Sequence, residues 1–147
     1  METTIKNILE EKYPDDLWDI TDIPECMVLR DYFDEGVRCL VLRSSFHLCA
    51  YLGIPIDHPL ANKSYDDIPL QCHGGLTFGD KGDGKIWPEN WFWYGWDYGH
   101  CDDQSFYKGI AKEFEGRGKK WTIKEVVSEI NWALYDFKKL MKLVEVK

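Results

Sequence analysis

Hydrophobic residues near the end of the chain recur every three or four positions, the spacing of one face of an α-helix. This pattern predicts a helix over residues 122–144. Thr122 and Glu125 have the spacing of a capping box, and Trp121 and Val126 could form the hydrophobic staple at its start. The predicted apolar stripe consists of Ile123, Val126, Val127, Ile130, Leu134, Phe137, Met141 and Val144.

Alternating polar and apolar residues predict β-strands over residues 26–33 and 37–52, on either side of a hairpin signal at Asp34-Glu35-Gly36. In the second run the even positions are nearly all apolar, so we expect them to face the core. The odd positions would then face solvent or the floor of a site. Because the run is long for one strand, we expect a turn or bulge near Ser44-Ser45.

Three further elements complete the predicted fold: strands at 70–78 and 91–98, and a short helix at 3–12. The connector 79–90 is rich in glycine and charge, so we expect it to be exposed and mobile. Together the elements predict an α+β fold, in which a mostly antiparallel β-sheet packs against a long C-terminal helix, with a short N-terminal helix. A chain of 147 residues fits a single domain, residues 1–147.

Composition narrows the classes of function. A net charge of −8 argues against broad binding to nucleic acid, although four arginines, Arg43 among them, could still hold a small phosphorylated ligand. Five cysteines without a Cys-x-x-Cys pair favour a reducing compartment, and we expect a cytoplasmic protein. We see no signal peptide and no apolar run as long as a membrane span, so we expect no membrane association.

The segment His73-Gly74-Gly75 is the first candidate site, because paired glycines weaken a strand. They indicate either a bulge that turns the strand or space for a ligand beside His73. The second candidate is Asp97-x-x-His100-x-Asp102, where Gly99 lets the chain turn and bring the acid and the imidazole together.

Carboxylates around a histidine suit an oriented base or a metal site. We do not favour a metal and expect no cofactor; if a metal is bound, its ligands would be His73, Asp97 and His100, with His58 also in reach. Cysteines next to these histidines do not indicate structural zinc, because adjacent strand residues point to opposite faces. Cys49 beside His47 could be a thiol nucleophile, although a buried structural cysteine is the commoner case.

Aromatic residues make up 15% of the chain and are densest over residues 91–96. One parity of this run should pack the core. The other parity lies beside Asp97 and could stack on a flat ligand, and the candidate rings are Trp93 and Trp96. Alternatively, a second subunit could cover the outer rings, so a homo-oligomer is one expectation.

The ordered motifs "CAYLGIPIDHPL", "DDIPLQCHGGLTF" and "WFWYGWDYGHCDD" resemble those of a family of small, uncharacterised phage and bacterial proteins. The resemblance covers roughly residues 49 to 103. Ala50 and Tyr98 depart from its pattern. The resemblance implies an accessory or counter-defence role, and it marks Cys49, Tyr51, His58, Tyr65, His73, Gly74, Gly75, Asp97, His100 and Asp103 (or Asp102).

Three functions follow from these observations. We expect first a small-molecule binding protein that sequesters a host signalling nucleotide, with rings stacking on the base and Arg43 or Arg30 meeting phosphate. The second is a His/Asp-dependent hydrolase, with or without a metal. The third is an inhibitor that docks an aromatic, acidic face onto a host protein.

Overall fold

Five antiparallel strands form one sheet in the computed structural model, which describes residues 27–44, 46–100, 102–105 and 118–145. Their order across the sheet is β1-β2-β3-β5-β4. The strands are β1 (Met27–Asp34), β2 (Val37–Arg43), β3 (Leu48–Pro55), β4 (Phe78–Lys81) and β5 (Trp91–Asp97).

The predicted first hairpin is confirmed. Glu35 and Gly36 join β1 to β2 with φ angles of 47° and 85°. Two consecutive residues with positive φ match the right-handed twist of the paired strands, and this is the geometry that Asp-Glu-Gly favours.

The predicted run 37–52 divides at residues 44–47, where the N–H of Ser44 donates to the C=O of His47 at 2.9 Å. The apolar even positions of both strands are buried, as predicted, but those of β2 lie on the side of the sheet away from the helix, and its odd positions, expected to face solvent or a site, face the helix. After the chain reverses, Val41 pairs with Ala50 and Cys39 with Leu52, so odd residues of one strand share a face with even residues of the next. The helix-side face of β2 is therefore Val37, Cys39 and Val41.

The opposite face of the sheet is also buried. Leu40, Leu42, Cys49, Tyr51 and Trp93 form a second cluster there, and partly buried side chains of the 82–90 loop, including Ile86 and Trp87, pack against it. The expectation that one parity of the aromatic run in β5 opens onto a pocket or partner is therefore wrong for Trp93. Its indole is completely buried and donates from Nε1 to the C=O of Pro88 at 3.0 Å.

The long C-terminal helix is confirmed as α1 (Ile123–Glu145), which packs across β2 and β3. Its capping box forms as predicted: the N–H of Glu125 donates to Thr122 Oγ1 at 3.2 Å, and the N–H of Thr122 donates to Glu125 Oε1 at 3.1 Å. The buried helix residues are Ile123, Val126, Ile130, Ala133, Leu134 and Phe137.

The predicted strand at 70–78 is wrong over most of its length, because the chain turns at 72–75 and β4 begins only at Phe78. The predicted helix at 3–12 lies outside the described residues, as do Ser45 and Cys101. Among the helices described, none has the length and apolar character needed to cross a bilayer.

Candidate functional site

The two glycines after His73 form a tight turn. The N–H of Gly75 donates to the C=O of Cys72 at 3.0 Å, and both glycines have left-handed φ angles, +70° at Gly74 and +80° at Gly75. Residues with a Cβ disfavour this conformation. A Cβ on Gly74 would also overlap Nε2 of His100, whereas the same position on Gly75 is open. The motif therefore turns the chain at His73 and brings its backbone against the His100 ring.

A buried carboxylate holds the His73 ring. Nε2 of His73 lies 2.9 Å and 2.8 Å from the two carboxylate oxygens of Asp103, whose side chain is only 2% exposed. Asp103 also accepts hydrogen bonds from Trp121 Nε1 at 2.8 Å and from the backbone N–H of His100 at 3.0 Å. The ring of His73 stacks on Tyr98 with centroids 4.6 Å apart.

These contacts lower the pKa of Asp103 and fix which nitrogen of His73 faces it. Burial alone would raise the pKa of Asp103, but the hydrogen bonds from His73, from the His100 backbone and from Trp121 outweigh it and lower this pKa. Because an ionised carboxylate only accepts, Nε2 of His73 carries the proton. Nδ1 has no hydrogen-bond partner among the described residues, so in the neutral ring it is a free acceptor.

A pocket of about 410 Å³ opens beside His73, between residues 71–73 and the flank of α1 that carries Glu129, Trp132, Ala133 and Asp136. This volume lies within the range of small-molecule sites. Trp132 stands at its rim with 79% of its surface exposed. The lining residues are Gln71, Cys72, His73, Trp96, Glu129, Trp132, Ala133 and Asp136.

A chain of hydrogen bonds fixes one pocket carboxylate. Trp96 Nε1 donates to the hydroxyl of Tyr98 at 3.1 Å, and that hydroxyl donates to Glu129 Oε1 at 2.7 Å. Burial and then the bond to Glu129 raise the pKa of Tyr98, so it remains a donor. Burial and then the charge of Glu129 raise the pKa of Cys72 to about 12, so the pocket wall presents a thiol.

A second polar group adjoins His73, and its residues do not line the pocket. The rings of His73 and His100 lie 5.4 Å apart, and His100 Nε2 lies 3.5 Å from Asp97 Oδ1. Asp97 also accepts from the N–H of Gly99 at 3.0 Å and from Thr77 Oγ1 at 3.3 Å. His73 and Asp97 are therefore linked through His100, and the carboxylate bound directly to His73 is that of Asp103.

Cys49 lies opposite Asp97 in the pairing of β3 with β5, and its Sγ lies 3.4 Å from Nδ1 of His47. This thiol is only 5% exposed. The structure thus places three of the four histidines, His47, His73 and His100, at one end of the sheet. Asp102, the alternative to Asp103, is exposed, and its backbone C=O accepts from the N–H of Lys119 at 2.8 Å.

Four other predicted residues lie away from this cluster. Tyr51 is buried on the opposite sheet face, where its ring fills the space above Gly95. Tyr65 packs beside Gly79 in a short 3₁₀ helix. His58 binds Glu145 at 2.7 Å at the far end of α1, roughly 30 Å along the helix from Trp121. Arg43 ends β2 opposite Leu48 and does not line the pocket.

The alternative metal ligands are not assembled. Within the described residues, no three His, Cys, Asp or Glu side chains converge as a ligand group. In the predicted ligand set of His73, Asp97 and His100, Nε2 of His73 faces Asp103.

Sequence reasoning did not identify Trp121, Glu129 and Trp132 as site residues. Trp121 and Glu129 act through contacts with residues 18 and 31 positions away, Asp103 and Tyr98, which no local pattern reveals. Trp132 did carry a signal, because it is a large aromatic residue outside the apolar stripe of the helix.

A scan against protein-family profiles and searches of curated proteins and of solved structures found no match to this chain. The geometry of the site therefore carries the functional argument.

Proposed function

We propose that the protein binds a small molecule in the pocket beside His73. One observation carries the proposal: a histidine held by a buried carboxylate turns its remaining ring nitrogen away from that carboxylate and lines a pocket of about 410 Å³ with an exposed tryptophan at the rim. Ligand sites usually combine an aromatic surface with a small number of polar groups that point toward the ligand. Trp132 supplies the aromatic surface at this rim, and it differs from the other exposed aromatic residue of α1, Tyr135, in lining the pocket.

The expected sequestration of a signalling nucleotide finds less support in this geometry. Phosphate groups need arginine, lysine or helix N-termini around them. Neither Arg43 nor Arg30 lines the pocket. Arg30 is buried, and its guanidinium donates to the C=O of Leu29. We therefore propose small-molecule binding without a phosphate site. Nucleotides are included in the test as the alternative class of ligand.

A thermal-shift panel of nucleosides, linear and cyclic nucleotides, amines and small aromatic compounds tests the proposal. A ligand at a hundredfold excess over its Kd should raise the melting temperature by roughly 5–10 °C. Trp132→Ala should remove this shift while leaving the unliganded melting temperature nearly unchanged, because the side chain is 79% exposed.

Tyr135→Ala is the matched control, since Tyr135 is also an exposed aromatic residue of α1 (65%) but does not line the pocket. This variant should keep the shift. A shift that survives in Trp132→Ala, or the absence of any shift across the panel, would contradict the proposal.

General-base catalysis is a second candidate, favoured by the His73–Asp103 pair. A carboxylate that fixes the tautomer of a histidine leaves the other nitrogen able to take a proton from water. Since Cys72 stays a thiol, water is the nucleophile in this hypothesis. Incubating each panel hit with the protein and following its NMR spectrum would reveal turnover, and His73→Gln should abolish turnover while Asp102→Asn should not.

A further inference from the structure

The charges around the pocket point to the chemical class of its ligand. We infer that the pocket takes a flat organic cation with N–H donors, of the amidinium, guanidinium or protonated aminoheterocycle class, which stacks on Trp132 and donates to the carboxylates of Glu129 and Asp136. This inference rests on the proposed function and names the ligand of the same site.

The charged groups of the lining, the carboxylates of Glu129 and Asp136, are hydrogen-bond acceptors. Glu129 and Asp136 accept only, and in the neutral ring of His73, whose Nε2 faces Asp103, Nδ1 is a third acceptor. The donors of the lining are neutral groups: the amide of Gln71, the thiol of Cys72 and the indole N–H of Trp132. A ligand rich in donors satisfies such a lining, whereas a carboxylate or phosphate would leave acceptors facing acceptors.

The net charge of the pocket is negative. Of the residues that the structure describes, no lysine or arginine lines it. Asp136 makes no ion pair in the described part of the chain, and the cation one turn further along the helix, Lys139, holds its Nζ 4.1 Å from the centre of the Tyr135 ring. The carboxylate of Asp136 is therefore available to a ligand.

Trp132 adds the preference for a cation. The face of an indole ring attracts positive charge, and a planar amidinium can stack on it while its N–H groups point sideways to carboxylates. Glu129 is held in place for this contact, because its Oε1 accepts from Tyr98 at 2.7 Å.

Benzamidine, benzamide and benzoate test the inference, because they share one shape and carry a positive, a zero and a negative charge. Dissociation constants come from NMR titration of the full-length protein. Benzamidine should bind at least about tenfold more tightly than benzamide, and benzoate should bind more weakly still. Trp132→Ala should weaken benzamidine binding, and Tyr135→Ala should not.

Charge variants sharpen the test. Asp136→Asn should weaken benzamidine roughly three- to fivefold and narrow its advantage over benzamide. Asp57→Asn removes an equal charge from an exposed position next to His58, at the far end of the helix, and should change neither constant.

The outcomes separate the two proposals. Equal binding of benzamidine and benzamide, tighter binding of benzoate, or no binding of all three overturns the inference about charge. Small-molecule binding still stands if a ligand of the thermal-shift panel depends on Trp132, and it fails if none does. If Asp136→Asn leaves the preference for benzamidine intact, Asp136 is not the recognising group and the inference is overturned.

Discussion

Asp103 is an almost fully buried carboxylate on which the geometry of the site depends. It accepts hydrogen bonds from two side chains, His73 and Trp121, and from the backbone of His100. A buried acceptor with this many donors stabilises the fold only while it is ionised. Both the position of His73 and part of the stability should therefore depend on its charge.

Asp103→Asn should lower the free energy of unfolding by about 3 kcal/mol at neutral pH, because one amide oxygen cannot replace a carboxylate in these bonds. The lowered pKa of Asp103 fixes the sign of the pH dependence. Its contribution is complete above the ordinary carboxyl value of roughly 3.9 and is lost as the pH falls through the lower folded value. The difference between wild type and variant, measured by urea unfolding, should therefore shrink below about pH 4.

Asp102→Asn is the control for this prediction, since Asp102 is the exposed neighbour. It should change the free energy of unfolding by less than about 0.5 kcal/mol. An equal cost for the two variants, or a difference that grows in acid, would show that Asp103 does not stabilise the fold through its charge.

At the residue scale, the sequence indicated which residues belong to the site better than it indicated which of them are in contact. The residue pattern suggested His73, Asp97, His100 and Asp102 as one cluster, and the family resemblance marked Asp103 or Asp102; the structure brings His73, Asp97, His100 and Asp103 together. It did not reveal that Asp103 holds His73, because that contact joins residues 30 positions apart and depends on how two loops pack.

The turn at residues 72–75 is the element that positions His73. Both of its glycines have positive φ, so the strain that a Cβ adds to the backbone is similar at the two positions. Only at Gly74 would that Cβ also overlap the His100 ring. Substituting each glycine in turn therefore separates the cost of a left-handed backbone, which both positions have, from the cost of a clash with the His100 ring, which only Gly74 has.

Gly75→Ala should cost about 1 kcal/mol of unfolding free energy, and Gly74→Ala should cost more than about 2 kcal/mol, because it also displaces His100. Urea unfolding of the two variants at neutral pH measures the difference. Equal costs would mean that the contact between Gly74 and His100 contributes nothing.

Elements that depend on contacts between neighbouring residues were predictable from the sequence. Which face of an element packs against which other element was not. The capping box at Thr122 and the Asp-Glu-Gly hairpin involve neighbours in the chain, and both form as predicted. The face of β2 that packs on the helix was not the expected one, because a turn at 44–47 reverses which parity faces the helix. One residue more or less in such a turn exchanges the two faces of a strand.

At the scale of the whole molecule, the α+β architecture followed from the order of the predicted elements, and the pocket did not. The aromatic residues of β5 were expected to line it, yet the sheet is buried on both faces and only Trp96 of that strand borders the pocket. The outer side of α1 supplies Trp132 and Asp136. An amphipathic pattern shows which side of a helix faces the core. It does not show which other segment of the chain lies beside the polar side of that helix.

The tautomer of His73 tests the central claim most directly, because Nδ1 of the neutral ring is an acceptor only if Asp103 holds the proton on Nε2. Nitrogen-15 spectra of the histidine rings, recorded at alkaline pH where imidazoles are neutral, distinguish the two nitrogens. The structure predicts a protonated Nε2 and an unprotonated Nδ1 whose resonance moves when benzamidine is added. A proton on Nδ1, with Nε2 bare, would contradict the account.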